Sequence, residues 1–221
     1  MVRWTGRLRF AEAPQVARRF GMDQRNAYRR LHGLVAHSLL EHRRIFHAEP
    51  GAYLATRAGL DAAGLQLPRP RVDVRTYRHD REVAWVLIAL ELEFGRTPIL
   101  LERELRSREL RGAEWPRCAV WRGNQRTQRG LHFADLAVEI EDRRLLAIEV
   151  ELTGKGRKRL DSIVAAYVRA RHVATVRYYA APAARRGVER AVARASAQGL
   201  FDIRTWEESY GVTDAGALAG A

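Results

Sequence analysis

Apolar positions in the first seventy residues keep helical spacing and then change to short extended runs. Val16, Ala17 and Phe20 share one face of a helix over residues 14–20, and Gly21 supplies a stop with a sharp change of direction. Asp23 is a good N-cap for the next helix. That helix carries Ala27, Leu31, Leu34 and Val35 on one side, while Gln24, Arg25, Asn26, Arg29 and Arg30 point elsewhere. After Ser38, residues 39–46 read as a strand, Glu49, Pro50 and Gly51 as a turn, residues 52–55 as the returning strand, and 56–64 as a closing segment with helical character. Two short helices about a tight turn, followed by a hairpin, predict a winged helix-turn-helix whose second helix enters the major groove. His42, Arg43, Arg44 and His47 fall on the wing, within reach of a sugar-phosphate backbone.

The two prolines of residues 67–71 oppose both a continuing helix and an interior strand, so they predict a boundary between domains of residues 1–67 and 72–210. Residues 79–94 read as a buried helix and 100–110 as a segment of helical or mixed character. From Leu131 the period changes to two, with Leu136, Val138 and Ile140 on one face and Asp135, Ala137 and Glu139 on the other. Residues 141–144 contain the turn. Residues 145–152 repeat the alternation, Leu146, Ile148, Val150 and Leu152 facing one way and Ala147, Glu149 and Glu151 the other. An amphipathic helix marked by Leu160, Ile163, Val164 and Tyr167 follows, then a strand at 174–179, a helix at 183–198 and a last strand at 201–206, which is mixed α/β architecture. The tail after Tyr210 is small or polar and is expected to be loose.

Aligning the apolar faces of the two alternating strands brings Asp135, Glu149 and Glu151 onto one surface. Like charges together require cations, basic side chains or protons, which makes Asp135 and Glu149 candidate ligands for magnesium. A half-exposed hairpin with acids on its wet face shows the same alternation, and periodicity does not choose between the two. The basic run beginning at Lys155 has neither the glycine spacing nor the Lys-Ser/Thr pair of a phosphate loop, and no dinucleotide fingerprint occurs. No serine sits in a strand-to-helix elbow, which disfavours a Ser-His-acid hydrolase.

Charge sharpens the first reading. Thirty-nine lysines and arginines face 26 acidic residues, a formal charge of +13, and such a field favours a polyanion. The excess is mostly arginine, whose planar fork suits phosphate oxygens and guanine edges, although a GC-rich coding bias produces arginine as well. The single cysteine, Cys118, excludes a disulfide within the chain and any multi-cysteine metal site. His37, His42 and His47 recur at a spacing that fits neither a helical face nor an alternating strand, so zinc is not expected. No charged leader opens the chain, and the strongest apolar run, residues 83–92, is interrupted by Glu91 and too short for a bilayer, so a cytoplasmic protein without membrane contact is expected.

In order, the chain carries Ala27-Tyr-Arg-Arg-Leu31, His79-Asp80, Glu102-Arg-Glu-Leu105, His132-Phe-Ala-Asp135 and Ile148-Glu-Val-Glu-Leu-Thr153, the last followed by a helix ending near Tyr167. In this the chain resembles the replication-relaxation family of actinobacterial plasmids and mobile elements, over most of residues 10–206. The resemblance implies a winged helix joined to a restriction-endonuclease-like domain, and a role in plasmid replication, transfer or regulation. It also implies an aspartate followed, on the next strand, by Glu-x-Lys. Here Asp135 and Glu149 match, but Glu151 stands where the lysine belongs, so positive charge must come from a displaced Lys155, or else from Lys158, with Glu104 completing the acids from a helix.

The expectation is therefore a double-stranded-DNA-binding protein, without efficient catalysis and needing no cofactor to bind. Its contacts would be Gln24, Arg25, Asn26, Tyr28, Arg29 and Arg30 on the helix and Arg43 and Arg44 on the wing. A homodimer is expected, with replication or transfer proteins as further partners. The alternative is a magnesium-dependent nuclease using Asp135, Glu149, Glu151 and Lys155. A third possibility is a structural partner in a replication or transfer complex.

Overall fold

The computed structural model describes residues 1–111, 119–122 and 130–205; Cys118, Trp206 and the tail after Tyr210 lie outside the described residues. The chain is a mixed α/β protein of two compact units, Met1–Ile88 and Ala89–Ala221.

The first unit opens with α1 (Val2–Arg7), a helix the pattern did not announce, and continues with α2 (Ala13–Phe20) and α3 (Gln24–Ala36). Gly21 ends α2 at φ 61°, the left-handed conformation that glycine adopts without a Cβ clash. Asp23 caps α3 by accepting from the Asn26 amide at 2.8 Å. Of the expected inner face of α3, Ala27 and Leu31 are buried and Leu34 and Val35 half-buried. The hairpin is β1 (Leu40–Arg43) and β2 (Ala52–Ala55), antiparallel with Leu40 opposite Ala55 and Arg43 opposite Ala52. β1 is shorter than its sequence pattern. Ala11 adds a bridge to the second strand, exchanging both backbone hydrogen bonds with Tyr53 at 2.8 and 3.0 Å. Thr56 caps α4 (Arg57–Ala62), which closes the hairpin. Gly59 in α4 is required for a steric reason, because a Cβ there would lie 2.0 Å from the Leu39 backbone carbonyl oxygen.

The boundary falls elsewhere than the prolines suggest. Residues 67–71 are tied down: Arg57 donates to the Leu67 carbonyl at 3.1 Å, and Leu67 and Pro70 are buried. The start of α5 (Tyr77–Phe94) also belongs to the first unit. Tyr77 stacks on Phe10 at 4.5 Å between centroids and donates to Glu12 at 2.9 Å, and Gln15 donates to the Arg81 carbonyl at 2.8 Å.

The second unit is built on a five-stranded sheet of β3 (Ile99–Leu101), β6 (Leu136–Glu139), β7 (Leu145–Glu151), β8 (Val173–Ala180) and β9 (Phe201–Thr205), in that order. β3, β6 and β7 are antiparallel neighbours, and β8 and β9 continue parallel to β7. The parallel steps pass through α7 (Arg157–Arg169) and α8 (Pro182–Arg194), as parallel crossovers require. The segment of mixed character resolves into β3 and α6 (Glu102–Leu110), and a separate hairpin pairs β4 (Ala119–Trp121) with β5 (Leu131–Phe133). One core cluster joins Ala137, Leu145, Ala147, Val176 and Tyr178 of the sheet to Leu160, Ile163, Val164 and Tyr167 of α7 and Val188 and Val192 of α8. That is the acid-bearing face of β7, so the wet-hairpin alternative is excluded. Every residue of β7 is buried. Ala137 and Ala147, side by side in register, leave the space that α7 fills.

Candidate functional site

Two groups of polar side chains stand out, one in each unit. On α3, Gln24, Arg25, Arg29 and Arg30 are exposed, and Asn26 and Tyr28 half-buried. The Asp23 cap organises this end: its carboxyl is held below the ordinary value chiefly by the Asn26 amide, and Asn26 in turn accepts from Arg29 at 2.7 Å. Asn26 and Arg29 are thus engaged with each other, while Arg25 and Arg30 have no ion pair among the described residues. On the hairpin, Arg43 pairs with Glu41 at 2.8 Å, and Arg44 is exposed just beyond β1. His42 joins an aromatic group, its ring 4.6 Å from Tyr53 and 5.9 Å from His32 between centroids. Burial, with the charges of His32 and Arg44, lowers its pKa. His47 is exposed in the turn.

The second group forms where β5, β6, β7 and α7 meet. Leu136 lies opposite Ile148, so Asp135, one residue before β6, comes level with Glu149. Asp135 accepts from the Val150 amide at 2.8 Å, and its own carbonyl accepts from the Glu102 amide at 2.9 Å. The Glu149 side chain is 2% exposed, and one of its oxygens accepts from His132 Nε2 at 2.7 Å and from the Tyr167 hydroxyl. Burial pushes this carboxyl upward, but the charges and hydrogen bonds of His132, Lys155 and Tyr167 hold it below the ordinary value. Glu151 is 5% exposed and pairs with Lys155. Its pKa is raised by burial and by Glu149 and Asp135, against the pull of Lys155. Lys155 loses charge stability to burial and regains more from Glu149, Glu151 and Asp135, so it stays protonated.

Asp135, Glu149, Glu151 and Lys155 are therefore brought together, and the displaced lysine reaches the acids. Two other expectations fail. Lys158 is exposed on the first turn of α7, and Glu104 accepts from the Leu101 amide at 3.0 Å at the start of α6. Pattern reading missed His132 and Tyr167 as partners of Glu149. Tyr167 had left a signal: a tyrosine inside an apolar helical stripe must find a hydrogen-bond partner for its hydroxyl. Beside Glu149 in the parallel register lies Tyr178, whose buried hydroxyl has no hydrogen-bond partner among the described residues.

As a magnesium site the acids fit poorly. Among the described residues no three histidine, cysteine or acidic side chains are arranged to hold a metal ion. The acids already serve an amide, an imidazole, a phenol and an ammonium group, so their oxygens are engaged by the protein's own donors. No helix of the described residues is long and apolar enough to cross a membrane. No family model matches the chain, and neither a curated protein nor a solved structure matches it significantly.

Proposed function

We propose that the chain binds duplex DNA through a winged helix-turn-helix in its first unit and carries a restriction-endonuclease-like second unit that does not cut efficiently. The carrying observation is the exposed row of Arg25, Arg29 and Arg30 on the capped N-terminal half of α3. The turn at Gly21, the β1–β2 hairpin and the Ala11 bridge support a winged fold. The antiparallel strands β3, β6 and β7, followed through α7 by the parallel β8, support the nuclease-like reading of the second unit. The family resemblance adds plasmid or mobile-element replication, transfer or regulation as the process. Winged domains often read paired half-sites, which adds a homodimer to the reading, and sedimentation of the free and DNA-bound protein tests it.

An Arg25→Ala, Arg29→Ala, Arg30→Ala triple variant tests the interface. Its duplex affinity falls, and the salt slope falls by roughly 0.9 for each phosphate that is no longer neutralised. Unchanged binding by the folded variant refutes the assignment.

One observation favours the nuclease alternative, namely the arrival of Lys155 at the acidic group. A divalent cation, if bound, would stabilise charge on a phosphoryl oxygen. The ammonium of Lys155 is, however, already neutralised by Glu151, and cleavage needs positive charge where negative charge grows. A magnesium and manganese titration with supercoiled and linear DNA, beside an Asp135→Ala, Glu149→Ala variant, is expected to give binding without efficient cleavage. Cutting that is lost in the double variant while its fold, read by circular dichroism, is retained would establish the alternative.

A further inference from the structure

Next to the acidic group, an open concavity of about 780 Å³ lies between the loop at residues 154–156 and the first turns of α8. Its charged lining comprises Lys155, Arg185, Arg186 and Arg190 against the single acid Glu189. Glu189 pairs with Arg185 at 2.8 Å, and Lys155 pairs with Glu151. Arg186 has no ion pair among the described residues, and Arg190 makes a hydrogen bond to the Arg186 carbonyl at 3.1 Å. Both are exposed. Four cations therefore converge on one hollow with two acids to answer them. Proline, glycine and alanine line the rest, so bulky apolar side chains offer nothing to a hydrophobic ligand.

We propose that this concavity is a phosphate-binding subsite, in which Lys155, Arg185, Arg186 and Arg190 hold a phosphate group of a nucleic-acid strand. Guanidinium forks match phosphate oxygens two at a time, and an ammonium adds a point charge. The volume exceeds one phosphate and leaves room for the attached sugar. Lys155 belongs to both sites: it lines the hollow and is paired with Glu151 in the acidic group. A phosphate docked there competes with Glu151 for the ammonium. The proposal rests on the reading that the chain binds nucleic acid, but it uses residues remote in sequence from α3.

The test uses the full chain and six-nucleotide single strands bearing a 5′-phosphate, a 3′-phosphate or neither, with affinity measured over a salt series. An Arg186→Ala, Arg190→Ala double variant is expected to bind about tenfold more weakly, with a salt slope on single strands reduced by roughly 0.7 for each phosphate that it no longer neutralises. A terminal-phosphate preference that vanishes in the double variant identifies a phosphomonoester as the occupant. Equal loss for all three strands identifies an internal phosphodiester. Unchanged affinity for all three, in a double variant with native circular dichroism, overturns the subsite. The triple variant of Arg25, Arg29 and Arg30 separates the two readings, because it should lose duplex binding and keep wild-type affinity for the short strands. If it keeps duplex binding, the winged reading falls and the subsite is still judged by the double variant.

Discussion

The two units use charge in opposite ways. On α3 the arginines are exposed, and Arg25 and Arg30 have no ion pair among the described residues, whereas in the second unit every member of the acidic group is buried or half-buried and engaged. An exposed cation costs the fold nothing and is available to a partner. A buried charge must be compensated, and the groups that compensate it become part of the fold. Substitutions should therefore separate cleanly: in the acidic group they reduce stability, and on α3 they reduce binding.

The largest effect is expected at Lys155. Lys155→Met leaves Glu151 buried without its cation and should cost about 3 kcal/mol at pH 8, read by urea unfolding. The cost should shrink at low pH, where Glu151, with its raised pKa, takes up a proton. An equal loss at both pH values would break the comparison. Next comes Glu12 in the first unit, whose carboxyl burial pushes up from 4.5 to about 7 despite the hydrogen bond from Tyr77. Between those values the folded state holds a proton that the unfolded chain releases, so stability falls as pH rises through that window and levels off above it. Glu12→Gln should remove about 2 kcal/mol of that dependence, measured as stability at pH 5 against pH 8. A smaller effect, about 1–1.5 kcal/mol, is expected for Tyr167→Phe, since Glu149 keeps its bond to His132. Smallest of all, the Arg25, Arg29, Arg30 triple should change stability by less than about 0.5 kcal/mol while weakening duplex binding. A large loss of stability there would show that these arginines hold the fold together.

Local chemistry made much of this legible in advance. Gly21, Asp23 and Thr56 mark helix ends by mechanisms confined to a few residues, and α2, α3 and α4 begin or end at those signals. The period-two run located β6 and β7 and placed Asp135 level with Glu149. Short elements were not legible: β3 and β4 have three residues each, too few for a period, and α1 lacks a side-chain cap. The choice between wet and buried acids lay outside the strand pattern, because the small side chains of Ala137 and Ala147 let α7 cover that face. The bond from His132 to Glu149 depends on the β4–β5 hairpin and spans seventeen residues of sequence, so no spacing rule reveals it. The 67–71 segment misled for a related reason: proline forbids regular structure without forbidding burial, and Pro70 is buried.

Asp135 bears on how loss-of-function genetics in this protein should be interpreted. Its side chain anchors the Val150 amide in the middle of the sheet, and its carbonyl receives the first amide of α6. An alanine allele removes the acceptor for Val150, so an inactive phenotype would report misfolding as readily as a missing reagent. Asparagine keeps one acceptor oxygen at the same reach while removing the charge and turning the other oxygen into a donor. Comparing the two alleles distinguishes a residue needed for chemistry from one needed for shape, and an Asn allele that behaves as wild type would assign Asp135 to architecture.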